Sequence, residues 1–125
     1  MIIGMNHFTV IAEDAKKTLD FYVGLLGLRV GYRPDLGFDG AWLYGNGAQA
    51  LLHLYFDRKA PTPRAGVIDH MAFSASDLKA VKARFDAAGV KYDLRQQKES
   101  GIWQLFTYDP TGAKVELDFD PAESL

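Results

Sequence analysis

The apolar positions of this chain change period several times, and each change marks an element. From Gly4 to Ala12 they alternate, with His7, Thr9 and Ile11 on one face and Phe8 and Val10 on the other, which predicts a strand. Glu13 and Asp14 then supply the acidic residues that favour a helix N-terminus. Ala15, Leu19, Tyr22, Val23 and Leu26 follow at helical spacing and predict an amphipathic helix of about three turns, ended at Gly27 by a left-handed cap. Strands are predicted at Leu28 to Arg33, Ala41 to Tyr44 and Gln49 to Asp57, with a polar, Gly-rich loop after the first. Gly45-Asn46-Gly47 predicts a tight hairpin, because positive φ is needed there. Arg58 to Gly66 carries Pro61 and Pro63 and no apolar periodicity, as a linker should.

After this linker the order starts again. Val67 to Ser74 predicts a strand with Ile68, His70, Ala72 and Ser74 on one face. Ser76 is a candidate N-cap for a helix through Leu78, Val81, Phe85 and Ala88, ended by Gly89. Strands follow at Val90 to Arg95 and Ile102 to Tyr108, separated by a polar turn at Lys98 to Gly101. Asp109-Pro110-Thr111-Gly112 predicts a turn. The last run, Lys114 to Asp120, puts Val115, Leu117 and Phe119 on one face and Lys114, Glu116 and Asp118 on the other. Each half therefore reads strand, helix, strand, strand, strand, which is an α+β pattern. The expected organisation is a single domain of two modules, residues 1–57 and 67–120 joined by 58–66. One module alone is too small to bury both faces of a curved sheet.

The repeat is written in residues as well as in periods. Leu54, Phe56 and Asp57 recur 63 residues later as Leu117, Phe119 and Asp120, and Asp14 and Tyr22 recur as Asp77 and Phe85. The same interval separates His7 from His70, and His53 from Glu116. All three histidines of the chain thus fall on the repeat. In each module the first and last strands contribute one residue with metal-ligand chemistry. Each lies between apolar neighbours, where an unpaired polar group is costly and coordination would offset the cost. Neutral imidazole and carboxylate suit Mn, Fe, Co, Ni or Zn as divalent ions better than Ca²⁺ or Cu⁺.

Composition changes the picture mainly by exclusion. A chain of 125 residues with a formal charge of −2 and no Lys/Arg run argues against nucleic acid or an anionic membrane as partner. The absence of cysteine removes disulfides, thiolate zinc sites and a cysteine nucleophile. No signal peptide and no stretch of roughly 20 apolar residues is visible, so a cytoplasmic protein is expected.

With these residues in view, the chain resembles the vicinal oxygen chelate superfamily, which includes glyoxalase I, extradiol dioxygenases, fosfomycin-resistance enzymes and bleomycin-binding proteins. The resemblance runs from Asn6-His7-Phe8-Thr9 through Asp69-His70-Met71-Ala72-Phe73 to Asp109-Pro110-Thr111-Gly112 and Val115-Glu116-Leu117. It implies tandem βαβββ modules whose curved mixed sheets form a cup around a divalent metal. By position, His7, His70 and Glu116 match the widely shared ligands. His53 matches a slot that holds glutamate or glutamine in the isomerases. The resemblance also implies a homodimer, in which the first module of one chain often completes a cup with the second module of the other.

The activity implied is metal-dependent chemistry of the lyase or isomerase type on a small substrate with neighbouring oxygens. An extradiol-type Fe²⁺ dioxygenase and a non-catalytic, bleomycin-resistance-like binding protein are the alternatives. Glu116 or a metal-bound water is the candidate catalytic base, with His53 the alternative, and the metal would act as a Lewis acid. Several departures from named relatives are visible. Ile11 stands at the glutathione-binding arginine of glyoxalase I-like proteins, and Phe106 at the catalytic tyrosine of extradiol dioxygenases. Gln104 and Phe106 replace a phosphonate-binding serine and tyrosine, so poor anion capture is expected. Strand parity nominates Thr9, Tyr55, Gln104 and Phe106 as substrate contacts and predicts an aromatic, largely neutral wall, with Trp42 and Trp103 in wall or core.

Overall fold

In each half of the chain a parallel pairing of the first and last strands carries the candidate ligands. The computed structural model describes residues 1–125 and divides into two compact units, Met1–Thr62 and Pro63–Leu125. In the first, β1 (Phe8–Ile11) is followed by α1 (Ala15–Leu19), β2 (Arg29–Gly31), β3 (Gly40–Tyr44) and β4 (Ala50–Tyr55). The second contains β5 (Met71–Ser74), α2 (Leu78–Ala88), β6 (Tyr92–Gln96), β7 (Trp103–Tyr108) and β8 (Lys114–Phe119). The sheets have strand orders β1-β4-β3-β2 and β5-β8-β7-β6. The expected strand-helix-strand-strand-strand order is therefore present twice, as an α+β fold.

Register explains why the 63-residue echo is strict at the ligands. Thr9 pairs with His53 across β1 and β4, and Ala72 pairs with Glu116 across β5 and β8. Slipping either pair by one residue would turn the ligand to the opposite face. That opposite face is the core. Ala41, Leu43, Leu52 and Leu54 are buried in the first sheet, as are Thr18, Phe21, Tyr22 and Leu25 in its helical segment. Leu105, Val115, Leu117 and Phe119 of the second sheet are buried, with Leu78 and Phe85 of α2. A fully buried side chain of this size contributes about 1.5–3 kcal/mol.

Between the paired strands the two halves differ by single residues. The interval from Asp14 to Gly27 is one residue longer than that from Asp77 to Gly89. The extra residue is absorbed by a π-helical stretch, Asp20–Leu25, that continues α1. There Leu26 N–H bonds Phe21 O, five residues back, at 3.0 Å. Both helical segments still end as expected, with Gly27 at φ 80° and Gly89 at φ 65°.

Three local expectations are corrected. The connection between β3 and β4 is not a tight hairpin: residues 45–49 form a five-residue loop beside a register shift at Leu43/Tyr44. Neither Gly45 nor Gly47 takes positive φ. Ser76 does not cap α2; the N-cap is Asp77, at φ 63° and with no side-chain cap bond. The Leu78 N–H instead donates to the Glu123 carboxylate at 2.5 Å. His7 and His70 each immediately precede their strand rather than lying within it. The 109–112 turn forms as expected, with Asp109 Oδ1 accepting from the N–H groups of Thr111, Gly112 and Ala113.

Candidate functional site

The first unit brings together His7, His53 and Trp42. His53 faces Trp42 across β3 and β4, and the two rings stack with centroids 4.1 Å apart. On the other side the His7 ring stacks on His53 at 3.7 Å. His53 is buried, and its Nε2 has no hydrogen-bond partner. Burial, then the neighbouring His7 and Arg33, lower its pKa below the ordinary histidine value and favour neutral imidazole. His7 Nδ1 lies 2.7 Å from Asn6 Oδ1. An amide oxygen only accepts, so Nδ1 donates this bond and Nε2 takes no part in it.

The second unit brings together His70 and Glu116. His70 Nδ1 lies 2.7 Å from Asp69 Oδ1, repeating the His7–Asn6 arrangement 63 residues on. His70 Nε2 is 2.7 Å from Glu116 Oε2. With Nδ1 turned to Asp69, it is Nε2 that His70 directs at the Glu116 carboxylate. The other oxygen of the buried Glu116 accepts from Gln104 Nε2 at 2.5 Å. Asp118 lies on the same face. Burial first, and then Glu116, raise its pKa above the usual carboxylate range.

No three His, Asp or Glu side chains gather at one point; each unit carries one pair of candidate ligands. The donor set nevertheless fits a divalent transition metal. It offers an orphaned buried imidazole nitrogen, a second imidazole whose Nδ1 is already engaged, and an imidazole–carboxylate pair in direct contact. Asn6 and Asp69 stand in the motifs that carry the resemblance and share the 63-residue interval, and their hold on the histidine rings is a feature of the fold. A partner on the non-ligating nitrogen is a usual accompaniment of a metal-bound histidine.

The remaining predicted residues fall into different surroundings. Thr9 is exposed and is the register partner of His53. Tyr55 lies under the Arg58 guanidinium, with 4.4 Å to the ring centroid. The Gln104 amide is engaged by Glu116, so it acts on the ligand directly. Phe106 meets the His70 ring edge-on at 5.8 Å. Trp42 belongs to the ligand face, whereas Trp103 donates to Glu123 O at 2.9 Å.

The expected neutral wall is wrong for the second unit. Arg95 and Lys114 approach the Phe106 ring at 4.7 and 5.4 Å. They border, with Lys91, Asp93 and Tyr108, an open cavity of about 290 Å³. Parity had registered the aromatics, but not the cations that long side chains bring over them.

Two βαβββ modules, each with a pair of candidate ligands at the junction of its first and last strands, make up a tandem α+β fold. The family model of the Glyoxalase/Bleomycin resistance protein/Dioxygenase superfamily matches residues 4–117, and the chain belongs to that superfamily. It is 29% identical over 123 residues to Glyoxylase I 4 of Arabidopsis thaliana, covering 93% of this chain and 70% of the relative. It is 29% identical over 119 residues to glutathione transferase FosA of Serratia marcescens, covering 94% and 81%. Among solved structures, a mutant of the fosfomycin resistance protein FosX of Listeria monocytogenes, complexed with Mn(II) and 1S,2S-dihydroxypropylphosphonic acid, matches with a TM-score of 0.75. That match has 19% identity and covers 96% of this chain and 94% of the other, so it bears on fold alone.

Proposed function

We propose that this chain is a divalent-metal-dependent enzyme of the lyase or isomerase type, acting on a small substrate with neighbouring oxygens. His7, His53, His70 and Glu116 hold the metal, which is Fe, Mn, Ni, Zn or Co. The observation that carries this reading is the repeated histidine arrangement. Asn6 and Asp69 each occupy an Nδ1, which leaves Nε2 as the coordinating atom in both modules. When bound, the metal supplies Lewis acidity toward the substrate oxygens. Glu116, a carboxylate held in place by Gln104, is the group that takes and returns a substrate proton; His53 is the alternative base if its unpartnered Nε2 is not given to the metal. Thr9 and Phe106 flank the ligands as substrate contacts, and Tyr55 extends the same face. We read the functional species as a homodimer.

Metal analysis of protein purified without chelator tests this reading, followed by titration of the chelator-treated protein. One metal per set of four ligands is expected, with uptake abolished by His7→Ala, His70→Ala and Glu116→Gln. Negligible metal and no uptake by wild type would sink the proposal. Loaded protein incubated in D₂O with α-hydroxy-ketones should exchange the hydrogen next to the carbonyl. Oxygen consumption with catechols, in place of exchange, would redirect the assignment to the dioxygenase branch.

A further inference from the structure

A second cluster lies on the first module, one step along the sheet from His53. Gly40 pairs with Tyr55 across β3 and β4, one step along the same face from the Trp42–His53 pair. A Cβ at Gly40 would come within 2.3 Å of Leu54 O and 3.2 Å of an Arg33 guanidinium nitrogen. The bare backbone there lets Arg33 lie over the strand pair. Its Nη2 donates to Phe38 O at 2.9 Å, and its guanidinium carbon is 5.0 Å from the Phe38 ring centroid. Arg58 approaches the same ring at 5.2 Å and Tyr55 at 4.4 Å. Phe38 and Tyr55 meet edge to face at 5.0 Å. Asp57, at φ 55°, turns the chain just before Arg58. A non-glycine residue holds that left-handed conformation at an energetic cost.

Two guanidinium groups around one ring repel each other, and no carboxylate neutralises either. Arg33 and Arg58 enter no ion pair. The nearby Asp35 and Asp39 give a carboxylate oxygen to the N–H groups of Gly37 and Gly40. Arg33 Nε is buried and has no acceptor, which is expensive for a charged donor. A planar guanidinium presents paired donors matched to carboxylate and phosphate oxygens. We propose that Arg33 and Arg58, framed by Phe38 and Tyr55, bind an anionic group, a carboxylate or a phosphate, of the substrate. Two residues along a strand span about 6–7 Å. The substrate is therefore an anion whose charged end lies about that far from the group facing His53. The substrate role rests on the metal-dependent reading above; the anion site does not.

Chelator-treated and metal-loaded protein should each be titrated calorimetrically at low salt with inorganic phosphate and with malonate. Saturable binding is expected in both forms, and the tighter anion identifies the source. Arg58→Ala and Arg33→Lys should each weaken it by about tenfold or more. Lys98→Ala, a control for net charge, and Arg95→Ala, which removes a cation from the cavity of the second unit, should leave it unchanged. Arg58 is exposed, so its variant should keep the wild-type melting temperature. No saturable binding, or full affinity in Arg58→Ala, would overturn the proposal, as would loss only in Arg95→Ala. Anion binding without metal uptake would remove the metal reading and keep this site. Metal uptake without anion binding would do the reverse.

Discussion

Glu116 is a buried carboxylate with every oxygen engaged, by His70 on one side and Gln104 on the other. Removing a group that orients a metal ligand typically costs 10–100-fold in affinity. Gln104→Leu should therefore weaken metal binding by about that factor. Competition with a chelator of known affinity measures it, and unchanged affinity would show Gln104 to be idle. Asp118 lies beside this carboxylate with one oxygen buried and unpartnered. Its folded pKa is raised, first by burial and then by Glu116. The folded state therefore binds more protons than the unfolded chain above the ordinary aspartate value of 3.8, and stability falls as pH rises through the folded pKa. Asp118→Asn should raise the melting temperature of metal-free protein at pH 8 by a few degrees, and much less at pH 4. An equal gain at both values would exclude this linkage.

At the scale of elements, the stops were legible, and so was the start of α1, where Asp14 caps the helix by accepting from Lys17 N–H at 3.0 Å; the start of α2 was not. Gly27 and Gly89 mark helix ends because a left-handed residue without a Cβ is nearly a requirement of that cap. The N-terminus of α2 misled because its partner is 45 residues away, as Glu123. No local pattern of Ser or Asp can reveal such a cap. The tail is pinned twice, since Trp103 Nε1 also donates to Glu123 O. Glu123→Ala should therefore cost about 1 kcal/mol, the usual value of a lost cap. Ser76→Ala should cost under about 0.5 kcal/mol, as surface substitutions do. Urea unfolding midpoints decide it, and the reverse ranking would restore Ser76 as the cap. The π-helical stretch was invisible for a related reason. Ala15, Leu19, Tyr22 and Val23 fit an α-helical period, and the extra residue shows only when the two halves are aligned on their glycines.

For the whole molecule, the repeat was the most legible feature, because register makes the ligand interval rigid while loops drift by single residues. The cationic surroundings were not legible, since arginine and lysine reach across strands in ways that parity does not track. The repeat also bears on assembly. The segments before β1 and β5 expose Ile2, Ile3 and Met5 in one unit, and Val67 and Ile68 in the other. Ile3 and Val67 are as open as in an extended chain, at 104% and 105%. Apolar surface displayed at equivalent places marks a contact surface more often than chance exposure. If it is the dimer contact, each protomer contributes both segments to the interface. Ile3→Asp with Ile68→Asp should then weaken association by more than about 3 kcal/mol, or a hundredfold. Sedimentation velocity at micromolar concentration should show wild type as a dimer and the double variant as a monomer. Neither side chain belongs to a core that folding must bury, so circular dichroism should be unchanged. If the cup is completed across protomers, metal uptake by the monomeric variant should fall with dissociation and recover at high protein concentration. A folded monomer with full metal content at every dilution would place all four ligands within one chain.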